Sequence, residues 1–466
     1  MISLHPFFLG RARLWLLLAA CLPGCAVNPR PTFDETSALV RNRTGLETMW
    51  MRSPAEEAAV IARVRDILKE PLSPRRAAQI ALINNRGLQA RLEELGIAQA
   101  NLAAAGLPSN PEVEGFLGWP SERSQTKKID LGFGADILDL LVLPSRRRLA
   151  ALELKQAKAL AGEEILKMAA RAQTEIFNLQ ALEASAVGVA TAHGIEEALT
   201  EFAAARLKAG NLSELEYEEE SSHLDDLNAR KAMLNLEVRK GREVLNQIMG
   251  LSGDLTAWAL EGMAPDLPDL DPDPSDTQLE IFALDQRFDL AAARAATELL
   301  EGTLKLQKKT RFLPAGVHVG VHTEKEGGVR VTGPSVKLQL PIFNPGRAES
   351  SRVEALYFQA QRLLEDGSVR ARAEVREKHA QLIGSRALVQ HHEGVVAPRK
   401  KRIVEMKRGY YNMMLKGADE LLKARRDEIE AESSLIEAKR SYWVARTGLA
   451  LALGGSIPGS SEGEKR

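Results

Sequence analysis

Two parts of the chain alternate apolar and polar side chains with a period of two, the pattern of β-strands with one apolar face. Each part holds two such runs, at 113–119 and 129–137 in the first and at 317–322 and 336–340 in the second. In the second part the charged, glycine-rich segment 324–328 separates the runs. The pattern predicts two β-hairpins. A lone hairpin is marginal in water, so other strands must complete each of them.

Long helical segments surround the first hairpin. The segment from Ser73 to Ala105 has a helical pattern and ends at a break rich in glycine and proline. After Pro144 no strong helix breaker occurs before Gly210, and apolar residues recur in steps of three and four. The segment 224–248 continues this alternation as a coiled-coil seam. We therefore expect a long helix, a tight reversal at 208–213 and a return helix.

The same order recurs in the second half of the chain. A helix is predicted at 277–309 before the second hairpin, and a long helix with a kink at Pro398 after it. A reversal at 416–419 leads into the last helix, with Gly417 in the place of Gly210. The sequence therefore predicts a tandem repeat of helix, strand, strand, long helix, turn and helix, a mainly α fold with a smaller β part.

The segments outside the repeats have no sustained period. Residues 26–53 are predicted to form an extended polar leader, and residues 54–70 a short helix. Residues 251–276 are rich in proline and aspartate, which indicates a surface linker with no core of its own.

Composition excludes several classes of function. The 62 Lys and Arg residues nearly balance the 63 Asp and Glu residues, so no net charge points to nucleic acid. The carboxylates lie on helix surfaces with no nucleophile poised beside them, so we do not expect an enzyme or a cofactor. His318 and His322 share the polar face of one strand without carboxylate or thiolate partners, so we interpret them as polar lining rather than a metal site.

Three segments give the repeat its character: AAAGLPSNPEVE before the first hairpin, RLKAGNLSELEYEE at the first reversal and LQLPIFNPGRAESSR after the second hairpin. They resemble the outer-membrane efflux protein family, the TolC-like exit ducts of Gram-negative bacteria. The resemblance covers nearly everything from Ser73 to Gly454 and is closest to the heavy-metal and small-molecule efflux branch.

This resemblance implies an assembly. Four strands per chain are too few, since a membrane barrel needs at least about eight. The family forms a homotrimer with a twelve-stranded β-barrel in outer-membrane lipid and an α-helical tunnel in the periplasm. Such a duct for efflux or type I secretion docks on a periplasmic adaptor (membrane fusion) protein and an inner-membrane pump, here expected to be of the RND type. The alternative is a periplasmic coiled-coil adaptor or structural protein, although adaptors carry one helical hairpin inside β-rich domains.

The resemblance also assigns roles to the two reversals. In the family they form the periplasmic mouth, and acidic residues six and nine positions after the tip glycine help to close it. The first reversal matches with Glu216 and Glu219, whereas the second has Lys423 and Arg426. We hypothesise that these opposite charges pair between neighbouring helices and latch the aperture; ordinary solvated helix charges are the alternative. The tip residues matched to adaptor docking are Gly210, Asn211, Leu212, Gly417, Ala418 and Asp419.

In such a barrel the apolar strand face meets lipid and the polar face lines the lumen. Val317, Val319 and Val321 are expected to face lipid. The side chains expected to face the lumen are His318, His322, Lys337 and Gln339.

The N-terminus resembles a secretory signal, with arginines before the short apolar run Leu14 to Ala20. Cys21 and Cys25, the only cysteines, each close a segment that resembles the bacterial lipobox. We prefer Cys25 for palmitoylation because the residues after it resemble the start of mature family lipoproteins; Cys21 and a plain signal peptide are the alternatives. The predicted parts are a signal peptide (1–24), a lipidated leader (25–72), a first repeat (73–250), a linker (251–276), a second repeat (277–455) and a polar tail (456–466).

Overall fold

The computed structural model describes residues 27–119, 127–262, 266–268, 274–311, 313, 316–326, 329–338, 342–343 and 345–458. Its helices are α1 (Arg30–Thr44), α2 (Pro54–Ile67), α3 (Pro74–Asn84), α4 (Arg86–Ala105), α5 (Ile137–Lys208), α6 (Glu214–Met249), α7 (Asp276–Gln286), α8 (Phe288–Thr310), α9 (Arg347–His391), α10 (Ala397–Asn412) and α11 (Ala418–Ala452). Its strands are β1 (Glu112–Gly118), β2 (Lys128–Asp136), β3 (Val317–Glu326) and β4 (Val329–Leu338). Both cysteines and Gln339 lie outside the described residues, so the predictions about them stay predictions.

The leader differs from the extended segment that its sequence predicts. Helix α1 buries Phe33 and Val40 against a core shared with α4 and α5. Near its other end, Arg43 donates from Nη1 to the Gly454 carbonyl at 3.0 Å, just after the last helix. A helix this short is marginal alone, so tertiary packing stabilises it, and packing of this kind leaves little periodic signal.

Each helix predicted before a hairpin is in fact two helices. Asn85 separates α3 from α4 and Arg287 separates α7 from α8, both with extended backbone. The Asn85 side chain accepts a hydrogen bond from the Leu88 N–H at 2.8 Å and so caps α4. Arg287 binds Glu374 Oε2 at 2.7 Å. Helical periodicity continues across a break of one residue, which is why the pattern alone predicts single helices.

The strands form one antiparallel sheet in the order β1-β2-β3-β4. The two hairpins join through β2 and β3, where Phe133 faces Val321 and Asp136 faces His318. At Gly320 the strands approach so closely that a Cβ would lie 2.3 Å from the Phe133 carbonyl oxygen, so only glycine fits there. Strands β1 and β4 are the open edges of the sheet.

The helices extend this linear order away from the sheet. Next to the sheet the packing order is α4, α5, α8 and α9; towards the reversals it is α6, α5, α11 and α10. Helix α5 takes part in both rows, and its 72 residues span about 108 Å. One lateral edge of the chain is therefore β1, α4 and α6, and the other is β4, α9 and α10. Among the described residues no helix has the length and apolar composition needed to cross a membrane.

The linker after α6 also departs from its prediction, because it supplies core residues. Trp258 is 6% exposed and donates from Nε1 to Asn246 Oδ1 at 2.8 Å. Leu260 forms a β-bridge with Leu72, and Leu267 packs against the buried residues of α11. Proline and aspartate direct the path of the linker, while its scattered apolar side chains fill gaps between helices.

The kink predicted at Pro398 coincides with a π-helical turn, His392–Val396, which joins α9 to α10. The wider turn accommodates a proline that has no N–H to donate. Lys439 of α11 binds Glu393 in this turn at 3.1 Å and Asp266 of the linker at 2.7 Å. Burial lowers the pKa of Lys439, but its hydrogen bonds with these two carboxylates outweigh burial and raise it.

Candidate functional site

The polar face of the sheet is the first candidate site. His322 Nε2 lies 2.7 Å from Asp130 Oδ1, and His318 Nδ1 lies 3.6 Å from Glu112 Oε2. The histidines thus have carboxylate neighbours, contrary to the expectation from the sequence, because β1 and β2 bring them from the other half of the chain. No group of three or more metal-ligating side chains occurs among the described residues. The face also carries Glu114, Lys128, Asp136, Glu324 and Lys337, placed by the cross-strand register.

The opposite face of the sheet is apolar and largely uncovered. Phe133 is 59% exposed and Val336 is 62% exposed. An apolar surface of this extent marks a contact with lipid or protein. Lys325 and Arg330 share this face next to the β3–β4 turn. Its apolar members are Val113, Leu117, Ile129, Leu131, Phe133, Ala135, Val317, Val319, Val321, Pro334, Val336 and Leu338.

The first reversal turns on Gly210, which has a left-handed backbone with φ of +73°. Ser213 then begins α6, and its hydroxyl accepts from the Glu216 N–H while Glu216 accepts from the Ser213 N–H at 2.9 Å. This capping box satisfies free N–H groups at the start of the helix. The backbone hydrogen bond from Ser213 is also the main cause of the lowered pKa of Glu216.

The second reversal has the same backbone but a different register from the predicted one. Its left-handed residue is Met414, with φ of 58°, and the Leu415 N–H donates to the Tyr410 carbonyl as Asn211 does to Arg206 in the first reversal. Gly417 is extended and begins α11, so it corresponds to Ser213 and not to Gly210. A Cβ at Gly417 would lie 2.3 Å from Asp419 Oδ1, so glycine leaves room for that carboxylate.

This register corrects the predicted charge pattern. Counted from Met414, the position of Glu216 is taken by Glu420, and the position of Glu219 is taken by Lys423. The first position is therefore acidic in both reversals. Glu420 pairs with Lys407 and with Lys416, and hydrogen bonds from these lysines, Lys407 first, lower its pKa.

Two ion pairs connect the helical hairpins within one chain. Lys423 Nζ lies 3.3 Å from Glu220 Oε2, and Arg426 Nη1 lies 3.0 Å from Glu196 Oε1. The partners are thus Glu220 and Glu196, whereas the sequence comparison suggested Glu216 and Glu219. Glu196 is only 2% exposed, which makes its pair the less screened of the two.

Glu196 had a signal in the sequence that motif reasoning did not use. It lies between Ala192, Leu199 and Ala203 at spacings of four, three and four, on the buried seam of α5. A carboxylate on an apolar seam requires a cation from a neighbouring helix. The identity of that cation, Arg426, depends on which helices pack together.

The described chain is similar to solved outer-membrane channels. It matches a membrane protein from Pseudomonas aeruginosa at 20% identity and a TM-score of 0.68, covering 82% of this chain and 93% of that one. It matches the Campylobacter jejuni CmeC outer membrane channel at 17% identity and a TM-score of 0.68, covering 90% of this chain and 91% of that one. It matches the open state of the Neisseria gonorrhoeae MtrE outer membrane channel at 17% identity and a TM-score of 0.66, covering 83% of this chain and 90% of that one.

No protein-family model matches the sequence, and no curated protein matches it. The similarity therefore lies in the three-dimensional fold, along most of both chains. This protein has the fold of the TolC-like outer-membrane efflux channels, and its mainly helical chain with one small sheet confirms that part of the predicted fold.

Proposed function

We propose that this protein is the outer-membrane exit duct of a tripartite efflux system and passively exports what an inner-membrane pump delivers. One observation carries the proposal: a four-stranded sheet with an exposed apolar face and two open edges is mounted on helices about 108 Å long. A sheet of this kind suits a membrane wall, and helices of this length suit a periplasmic tunnel. The duct is not an enzyme and needs no cofactor.

Three copies complete the wall. The open edges β1 and β4 expose unpaired backbone groups, which lipid cannot satisfy. Joining β1 of one copy to β4 of the next makes a closed barrel of twelve strands from a homotrimer. The polar face with His318, His322 and Lys337 then lines the lumen. The same position is a prediction from the sequence alone for Gln339, which lies outside the described residues.

The reversals are the docking surface for the periplasmic adaptor. Met414 is 94% exposed, Met413 is 69% exposed and Leu215 is 69% exposed, so both tips present apolar side chains. The register of the second reversal adds Met414 and Leu415 to the docking residues. The other docking residues are Gly210, Asn211, Leu212, Gly417, Ala418 and Asp419. The pump of such a system is of the RND type.

The ion pairs of Lys423 and Arg426 act as a latch on the aperture. They join α11 to the first helical hairpin, so separating the two hairpins requires both pairs to break. Of the two glutamates matched to the mouth of the family, Glu216 also caps the start of α6 by accepting from the Ser213 N–H. Glu219 lies one position before Glu220, the partner of Lys423, on the same helix.

The leader supports an acyl anchor at Cys25, with Cys21 as the alternative. Thr32 donates to Gln99 Oε1 at 2.8 Å, near the end of α4 that leads into β1. The start of α1 therefore points towards the sheet. Five residues from Cys25 to Arg30 can span at most about 18 Å, so an acyl chain there would sit close to the membrane-facing end.

Fractionation of membranes from cells producing the full chain tests the proposal. We expect the protein in the outer-membrane fraction, migrating as a trimer before heating and as a monomer after it. Palmitate labelling should be lost in Cys25→Ala and kept in Cys21→Ala. A soluble monomer in the periplasmic fraction would contradict the duct and favour a periplasmic coiled-coil protein.

A further inference from the structure

The chain carries a basic band next to the sheet, where the strands give way to helices. Between Leu140 and Leu152, the start of α5 has three arginines and no carboxylate. Between Gly302 and Arg311, the end of α8 has four lysines and arginines and again no carboxylate. The end of α4, residues 95–110, has no charged side chain. Positive charge is therefore concentrated at this end of the helices, in a chain whose charges otherwise nearly balance.

Contacts between the helices place this band at about one level. The Cδ atom of Arg147 in α5 lies 3.7 Å from where a Cβ on Gly106 would be, at the end of α4. Leu149 of α5 comes within 2.7 Å of the corresponding point on Gly302 of α8. Lys309 is seven residues beyond Gly302 towards the sheet, so it lies within about 10 Å of Arg147 along the helix direction.

Three cations of the band are exposed and are not used by the fold. They are Arg147, Arg148 and Lys309, and no ion pair within 4.0 Å involves any of the three among the residues that the structure describes. Arg146, by contrast, binds Asp139 at 2.6 Å. The three exposed charges are therefore available to an anion from outside the chain.

The exposed cations lie on the side of the chain that carries the apolar face of the sheet. Eleven residues make about three helical turns, so residues that far apart share one stripe of a helix. Ile137 continues the apolar face of β2 into α5, and Arg148 comes eleven residues later. On α8, Lys309 comes eleven residues after Glu298, which accepts from Lys155 of α5 at 3.1 Å. Lys155 lies about two turns after Arg148, so both stripes face the same side.

An exposed apolar collar lies between the basic band and the sheet. Leu140 and Leu141 are 53% and 73% exposed, and they lie about 10 Å closer to β2 than the exposed arginines. Leu107, just after α4, is 63% exposed, and Phe343, just before α9, is 100% exposed. An apolar surface followed by a cationic one matches the order of hydrocarbon and phosphate in a membrane leaflet.

A groove beside the arginines has room for a ligand. Its volume is about 360 Å³, and it is lined by Arg147 and by one stripe of α4, which consists of Gln99, Leu102, Ala103 and Gly106. Gln99 also accepts from Thr32 of α1, so the groove opens on the side where α1 packs. A cation in the wall of a largely apolar groove suits a ligand with an anionic head and an apolar body.

We propose that this band binds the phosphate groups of anionic phospholipids in the leaflet next to the helices. Arg147 and Arg148 hold a phosphate at the groove, since guanidinium groups bind phosphate in bidentate geometry. Lys309 supplies a further contact from α8. The inference rests on the proposed duct, because only a sheet within the membrane brings this band to a lipid surface. Phosphates bound here fix the height of the sheet in the bilayer.

Lipid binding to the purified full chain in a mild non-ionic detergent tests the site. Native mass spectrometry counts the phosphatidylglycerol molecules retained per chain, with zwitterionic phosphatidylcholine for comparison. Phosphatidylglycerol should bind at least about tenfold more tightly than phosphatidylcholine. Each cation near an anionic lipid surface contributes a factor of about five. Arg147→Gln plus Arg148→Gln should therefore weaken phosphatidylglycerol binding about 25-fold, and Lys309→Gln about fivefold.

Matched variants separate the site from folding and from general charge effects. Arg147→Lys plus Arg148→Lys keeps both charges and should retain binding within about threefold of wild type. Lys401→Gln plus Arg402→Gln removes two adjacent exposed cations of α10, near the reversals, and should leave binding unchanged. Inorganic phosphate should not displace the lipid; displacement would indicate a site for free phosphate and overturn the lipid assignment.

Trimer migration and conductance in a planar bilayer are measured on the same samples. Equal binding of the two lipids would overturn the site, as would equal binding in wild type and in the variants that remove charge. Trimers with discrete conductance steps would then still support the duct. A wild-type chain that forms neither trimers nor conducting pores would contradict the duct, whatever lipid it binds.

Discussion

The backbone at the first reversal depends on a single glycine. Gly210 has φ of +73°, and nothing lies within 4 Å of where a Cβ would be, so only backbone strain opposes a side chain. We expect Gly210→Ala to lower the free energy of local opening by about 1 kcal/mol, because the left-handed conformation is costly for other residues. Hydrogen exchange of the amides at 205–212 measures this.

Gly194 provides the matched control. It also has open space at its Cβ position, but it lies inside α5 with ordinary helical backbone. Gly194→Ala should therefore stabilise its helix by about 0.5–1 kcal/mol. If Gly210→Ala and Gly194→Ala changed the local stability in the same direction, the role given to the left-handed backbone at the tip would be contradicted.

Acidification should loosen the second reversal through Glu420. Its pKa is lowered by Lys407 and Lys416, so its ionised form stabilises the folded tip. That stabilisation is present at neutral pH and is lost as pH falls below the usual glutamate range through the lowered pKa. The protection factors of the amides at 410–417, which correct the exchange rate for its intrinsic pH dependence, should fall below about pH 4.5, and Glu420→Gln should remove this fall. Glu430→Gln, at an exposed position of the same helix, should preserve it.

At the scale of elements, the sheet allows the sharpest prediction, because adjacent residues of a strand point to opposite faces. Val321 lies on the apolar face and His322 on the polar face. Val321→Lys should strongly reduce trimers in the outer membrane, since a lysine facing lipid near the midplane costs about 2–4 kcal/mol. His322→Lys should insert normally and change only conductance. Equal loss of trimers in both variants would contradict the assigned faces.

Much of the element order follows from the sequence, because strands and long helices leave clear periods. The predicted strand at 129–137 is observed at Lys128–Asp136, and the reversal after 208 is observed as predicted. The breaks at Asn85 and Arg287 leave no such trace, since a single extended residue does not interrupt the spacing of apolar side chains.

The errors at the site have a physical origin in the second reversal. Glycine is the usual left-handed residue, so the sequence favours Gly417, but Met414 takes that conformation and Gly417 makes room for Asp419. The pair of Arg426 with Glu196 is beyond sequence reasoning because it joins residues 230 apart. Such contacts depend on the packing of α5 against α11.

At the scale of the whole molecule, the sheet and the two rows of helices each end, on both sides, at an element with no neighbour in the same row. The sheet ends at β1 and β4, and the helical rows end at α4 and α6 on one side and at α9 and α10 on the other. We propose that copies of the chain complete these edges in a ring, because the chain is open at every level along its length. In that ring the apolar face of the sheet would form the wall at one end, and the two reversals would form the mouth at the other.

Single-channel recording of the purified full chain in a planar lipid bilayer tests this account most directly. Wild-type trimers should insert and give small, discrete conductance steps, because in the proposed latch the pairs of Lys423 and Arg426 hold the mouth narrow. Lys423→Gln plus Arg426→Gln should give larger steps, with trimer migration on gels unchanged. Failure of any of these proteins to produce discrete steps, despite stable trimers, would contradict a duct; equal steps in wild type and variant would contradict the latch.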